Sequence, residues 1–355
     1  MARITDSVVP TGKWPNCPGV ANDLLPAGTA TSMSRRDAVQ RAERLVRQPA
    51  RGDAVVCSLT VAQPFPLRVG VLILPEHPWR ESRVRWQRAE ELGFAHAWTY
   101  DHLTWRGHRD LAWYSAIPTL TSAALATERI RLGTLVASPN FRHPLTMAKE
   151  IITLDDISGG RLTLGLGKGS TGWDATMMAA EPLPERERSE RFREFVELTD
   201  LLLRQPEGSY AGTFYSVQDA RTYPGCVQRP RVPLAIAATG RRGMRVAARF
   251  AETWVTNGDR TKPGPVGATQ GARDVRDQIN LLEDACSEEG RDPAELSRLV
   301  LTGPILTSGL GSVDEFDDTV GRYAAIGVTD LVVHWPRAKE PYAADYSTFE
   351  RIFTA

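Results

Sequence analysis

The chain predicts an α/β fold, a (β/α)8 TIM barrel with an insertion between its fourth and fifth strands. Three observations carry this. Eight short, mainly apolar segments are each followed by a helix-forming segment, the alternation that builds parallel β-α units with right-handed crossovers. Those units fill about 290 residues, which suits a closed barrel better than an open sheet. The first segment, 67–74, is apolar almost throughout rather than on alternate residues, as strands covered on both faces are.

Residues 67–74 (LRVGVLIL) make the first strand, closed by a proline turn. Residues 81–92 form an amphipathic helix with Val84, Ala89 and Leu92 inward. A strand at 95–100 and a helix at 112–127 follow, then a strand at 130–137. Pro144 suits the first turn of a helix over 145–157, and Ser158-Gly159-Gly160 ends it with residues that accept positive φ. The fourth strand is 162–167. After an interval the rhythm resumes with strands at 233–238, 253–256, 299–306 and 328–334, and helices at 241–250, 271–289, 312–325 and 345–353.

The interval, 168–232, is too long for a simple crossover and reads as an insertion at the catalytic end. It holds a charged helix (185–203) and a Tyr-, Phe- and Gly-rich stretch (208–225). Its Trp173, Met177, Met178, Tyr210, Phe214 and Tyr215 are expected either to line the entrance or to pack the insertion's own core. Residues 1–66 stand apart as an extension to the 67–355 barrel. They are mostly coil and poorly ordered, with one short helix possible at 34–48 behind a Ser34 cap, and carry too little apolar surface to form a domain.

Composition narrows the function. Lys plus Arg and Asp plus Glu number 43 each, so no global field recruits nucleic acid or an anionic membrane. No apolar run is long enough for a membrane span, and the N-terminus lacks the apolar core of a secretory signal. Cys17, Cys57, Cys226 and Cys286 are scattered, which disfavours a zinc site or a disulfide scaffold and points to a reducing, cytoplasmic setting. No H-E-x-x-H, G-x-S-x-G or strand-end carboxylate pair appears, so metal hydrolysis, serine hydrolysis and glycoside hydrolysis lose ground. A borrowed organic cofactor becomes the simplest source of chemistry.

In such barrels the chemistry lies at the carboxyl ends of the strands. His102 there suits proton transfer near neutral pH, with Asp101 beside it to tune or orient the loop; the alternative is a packed histidine satisfied by backbone. His143 belongs to the start of the following helix, His334 is a weaker pocket candidate, and His77, His96 and His108 carry no signal. Ser138 follows the third strand. Lys168, Gly169 and Ser170 follow the fourth, in a glycine-rich run that formally matches G-x-G-x-x-G but lacks the helix and acidic residue of a dinucleotide fold. Its glycines let backbone approach a flat ligand, and Lys168 either touches an anion or faces solvent. Thr239-Gly240-Arg241 ends a strand and opens a helix, so its amides, with Arg241 and Arg242, can hold a phosphate.

These residues resemble the bacterial luciferase-like superfamily of flavin and deazaflavin (coenzyme F420)-dependent oxidoreductases over about residues 67–355. The resemblance rests on ELGFAHAWTYDHL (91–103), RIRLGTLVASPNFRHPLTMAKEIITLDDISGGRLTLGLGKG (129–169) and YPGCVQRPRVPLAIAATGRRGMRVAARFAETWVTNG (223–258). It implies FMN or coenzyme F420 in the barrel mouth and Asp101 and His102 near the reacting ring. Leu135 and Val136 match the site of a non-prolyl cis peptide behind that ring. It further implies Lys168, Gly169 and Ser170 near the cofactor tail, and Ala237, Ala238, Thr239, Gly240 and Arg241 as the phosphate-binding turn. The family's deazaflavin-dependent sugar-phosphate dehydrogenases carry a glutamate acid where Ser170 stands here, which argues against that substrate class; Trp105 matches their tryptophan one residue out of step. The resemblance thus implies hydride transfer between reduced F420 and a small organic substrate. The alternatives are an FMN-dependent monooxygenase served by a flavin reductase, and a flavin-binding protein without catalysis. A homo-oligomer is expected, without nucleic-acid or membrane partners.

Overall fold

The computed structural model describes residues 65–355 apart from 106, 107, 179, 180, 263, 304 and 355. The expected extension, including the possible helix at 34–48, lies outside the described residues but for 65 and 66. Eight parallel strands close a barrel in the order β1 (Arg68–Leu72), β2 (His96–Thr99), β3 (Arg131–Thr134), β4 (Leu162–Gly167), β7 (Leu234–Ala237), β8 (Thr253–Thr256), β9 (Ser297–Leu301) and β10 (Asp330–His334), which returns to β1. Closure is in register, with Arg68 opposite Asp330 and Leu72 opposite His334. The expected closed barrel is observed. The strand expected over 299–306 is instead 297–301, after which the chain turns out of the ladder at Gly303, whose φ is +156°.

The strands read as continuous apolar runs because both faces are buried. In β1 and just beyond it, Val69, Val71 and Ile73 pack under the helices, while Leu72 and Leu74 join Trp98, Leu135, Ala235, Val255, Leu299 and Val332 in the lumen. Gly70 makes room there, since a Cβ on it would lie 1.9 Å from the His96 ring.

The helices are α1 (Trp79–Glu91), α2 (Ala116–Ala126), α3 (Pro144–Ile157), α4 (Trp173–Thr176), α5 (Glu185–Arg204), α6 (Arg241–Phe250), α7 (Ala268–Glu288), α8 (Val313–Ala325) and α9 (Tyr346–Thr354). In α1 the inward face is Ser82, Trp86 and Ala89. Val84, expected inward, is 62% exposed. The far larger Trp86 sets the buried stripe, and a residue two positions away points to water. At the start of α3, Pro144 sits in the first turn as expected, and the His143 ring accepts the Leu145 amide at 3.2 Å, which gives His143 its capping place.

Within the insertion, the Tyr-, Phe- and Gly-rich stretch forms an antiparallel hairpin, β5 (Glu207–Ala211) with β6 (Ser216–Arg221). Its turn is pinned by the buried Glu194 of α5, whose carboxylate accepts the amides of Thr213, Phe214 and Tyr215 at 2.7–3.1 Å. Tyr215 consequently packs on Phe195 and His143 rather than at an entrance.

The amino end of the barrel carries its own polar cluster. Asp330 accepts from Arg68 at 2.7 and 2.8 Å and meets His96 Nε2 at 3.0 Å, while Trp98 Nε1 donates to His96 Nδ1 at 2.6 Å. Sequence reading gave His96 no role; here it fills the lumen floor. At the other end of the β3–β4 seam the backbones are nearly in contact, and a Cβ on Gly165 would meet the Thr134 carbonyl oxygen at 1.9 Å. Gly165→Ala is therefore expected to lower stability by about 2–3 kcal/mol, because backbone cannot yield as a flexible side chain does; urea unfolding monitored by far-UV circular dichroism checks it.

Candidate active site

The carboxyl rim opens into a cavity of about 910 Å³, lined by residues from β2, β3, β4, β7, β8 and β9 and the loops beyond them. His102, three residues past the end of β2, faces it with its side chain 30% exposed. Leu135, Val136 and Ser138 line it after β3, and the Leu135–Val136 peptide is cis. Lys168, Gly169 and Ser170 line it after β4, and Ala237, Ala238, Thr239, Gly240 and Arg241 after β7. The site residues singled out from sequence therefore share one cavity, with one exception.

That exception is Asp101. It is 2% exposed and does not reach the cavity; its carboxylate clamps Arg142 at 2.5 and 2.8 Å. Arg142 in turn reaches Glu150 at 2.9 Å, so Asp101 ties the β2 loop to the β3 loop and α3. The carboxylate that does reach His102 is Asp174, on α4 of the insertion. One Asp174 oxygen meets His102 Nδ1 and the other accepts the Leu103 amide at 2.8 Å. The His102 carbonyl accepts from Trp113 Nε1 at 3.1 Å. Three contacts thus fix the residue, and Nε2 is the ring nitrogen left for the cavity.

Beside His102 the wall is aromatic. Tyr100, Trp105 and Tyr342 line it, with Trp105 stacked on Trp113 and on Tyr342 at centroid distances of 5.6 and 5.9 Å. His334, the weaker candidate, is buried behind this wall, stacked on Tyr342 at 3.4 Å and hydrogen-bonded to Tyr100 OH at 2.8 Å. Burial pushes its imidazole down to about 3, so it stays neutral at physiological pH. Trp173 also lines the cavity, under the Arg109 guanidinium at 4.0 Å; Met177 and Met178 are exposed beyond it.

The opposite wall is cationic. Arg241 and Arg242 open α6, whose N-cap Gly240 supplies no side-chain bond to the first amides. Those amides and the positive helix end face the cavity, the arrangement that binds phosphate. Lys168 and Arg188 line the cavity too, joined through Glu185. Lys168, about one-third exposed, is thus not free; it is paired with Glu185. An elongated ligand with an apolar, flat head and an anionic tail matches this polarity, and a Cβ-free Gly240 leaves open space beside the helix end.

Fold and site together define a TIM-barrel enzyme whose carboxyl rim gathers a histidine, an aromatic wall and a helix N-terminus around one cavity. Residues 65–309 match the family described as luciferase-like monooxygenase, and the chain belongs to that family as one of its oxidoreductases. It is 31% identical to an F420-dependent glucose-6-phosphate dehydrogenase of Beutenbergia cavernae, over 71% of this chain and 86% of that one. It is 29% identical to the 4-hydroxyprotoasukamycin monooxygenase of Streptomyces nodosus subsp. asukaensis, over 72% and 68%. Among solved structures, an F420-dependent secondary alcohol dehydrogenase in complex with an F420-acetone adduct shares the fold, with a TM-score of 0.67 at 16% identity over 81% of this chain and 97% of that one.

Proposed function

We propose that this protein binds coenzyme F420 at its carboxyl rim and reduces or oxidises a small, predominantly apolar or aromatic organic substrate, with His102 moving the proton. The observation that carries this reading is the meeting, in one cavity, of His102 with the bare N-terminus of α6 three strands further round the ring. The F420-dependent relatives support the cofactor.

When bound, the reduced deazaflavin supplies a hydride. The protein does the rest. The α6 amides with Arg241 and Arg242 hold the phosphate; Leu135, Val136 and Gly169 bring backbone against a flat ring. Tyr100, Trp105 and Tyr342 exclude water and offer stacking area to a substrate. His102 gives a proton to, or takes one from, the substrate oxygen at Nε2. Ser170, in place of an acidic residue, leaves His102 as the proton donor of the rim.

Titrating the purified protein with F420 and with FMN, followed by ligand fluorescence, tests the cofactor; anaerobic mixing of the reduced form with a panel of ketones, enones and quinones tests the reaction. Tighter binding of FMN, with oxygen consumed as product gains a hydroxyl, would replace this reading with a two-component monooxygenase served by a flavin reductase, which the 29% identity to a monooxygenase supports. The double substitution Arg241→Ala/Arg242→Ala is expected to weaken cofactor binding about tenfold. Both arginines are solvent-facing, so each contributes modestly, and the loss should shrink as salt is raised.

A further inference from the structure

We infer that Asp174 is a positioning residue for His102, fixing which ring nitrogen carries the proton. The inference rests on the proposed role of His102 and extends it to a residue 72 positions away on α4 of the insertion.

Asp174 is 5% exposed, and among the described residues no Arg or Lys pairs with it. A carboxylate buried without a cation is costly unless hydrogen bonds satisfy it. Its two oxygens have two partners: His102 Nδ1, and the Leu103 amide at 2.8 Å. The second contact makes the first directional. The Leu103 N–H anchors one oxygen, so the other faces the ring, and a carboxylate can only accept. Nδ1 must therefore carry hydrogen, leaving Nε2 toward the cavity to take or give the mobile proton. In carbonyl reduction the substrate carbon gains the hydride of the reduced deazaflavin. Its oxygen takes the Nε2 proton of the imidazolium, and His102 is left neutral with Nδ1–H still on Asp174. In alcohol oxidation each transfer reverses. Asp174 never exchanges its own charge state.

The variant Asp174→Asn makes this testable, because its shape is kept while the Leu103 amide holds the carboxamide oxygen. The amide group then faces Nδ1 and donates to it, which forces the proton to Nε2. The chain has six histidines, so [15N]histidine labelling of the cofactor-free protein in mildly alkaline buffer gives a countable set of ring signals. We expect the wild-type His102 ring as the Nδ1–H tautomer and the D174N ring as Nε2–H. With cofactor and the acceptor found by the panel, kcat of D174N is expected to fall about 30- to 300-fold, with the F420 dissociation constant within about twofold of wild type. A wild-type Nε2–H tautomer, which needs no variant to observe, or a D174N kcat within about threefold of wild type, overturns the inference. His102→Ala run in parallel separates the two claims: full turnover in H102A removes the proton-transfer reading itself, whereas slow H102A beside normal D174N removes only the role of Asp174.

Discussion

Replacing His102 by alanine is expected to lower kcat by about 10²–10⁴-fold, the usual worth of a positioned general acid or base. The substitution removes the imidazole that the β2 loop presents to the cavity, and it leaves the cationic wall after β7 untouched. Cofactor affinity should consequently change by no more than about twofold. The comparison of steady-state kcat with the F420 dissociation constant checks this, and a kcat unchanged in H102A would end the proposal that this histidine moves the proton. The fold should survive, since the side chain is part-exposed and the bond from Trp113 to the backbone carbonyl of residue 102 is kept.

The second large effect concerns stability rather than turnover. Asp330→Ala is expected to cost about 3–4 kcal/mol, because it strips the lumen floor of the carboxylate that both Arg68 and His96 address. That is a large share of the stability of an ordinary domain. The same residue sets a pH dependence. Burial alone raises the Asp330 carboxyl, but hydrogen bonds from His96 and Arg68 prevail and hold it well below the usual carboxylate range. A group depressed in the folded state stabilises it fully above its unfolded pKa, about 4, and loses that contribution as pH falls through the folded value. Urea midpoints measured from neutral pH downward should thus decline for wild type below about pH 4 and decline less for D330A. Equal slopes would show that the cluster does not carry acid sensitivity. Arg68 is more than half exposed, so much of the effect belongs to the buried His96 partner.

Most of the barrel was legible because strands covered on both faces must be apolar throughout, and the chain has little freedom in how it joins them. His102, Ser138, Lys168 and Thr239–Arg241 were legible for the same reason, since each immediately follows a strand and strand ends define the rim. Asp101 looked like the natural partner of His102 because it is adjacent in sequence. Adjacent residues at the end of a strand point to opposite sides, however, and Asp101 turns to Arg142. Asp174 carried no local sign. It follows a glycine-rich run that reads as letting backbone approach a flat ligand, and nothing in that pattern singles out the acid after Trp173. The hairpin at 207–221 was hidden likewise, because its turn depends on Glu194, on a helix about 20 residues earlier, as well as on its own Gly212–Tyr215 bond.

By itself, then, the chain's periodicity and punctuation settled the number and order of the β-α units, the end at which ligand residues gather and the helix terminus suited to an anion, all properties of short segments. Only the closed structure decided which carboxylate meets His102, which face of α1 is inward, and that His96 and Asp330, 234 residues apart, share the lumen floor. Those choices depend on which side chains are brought within about 3 Å when the ring closes, a distance that separation along the chain does not encode.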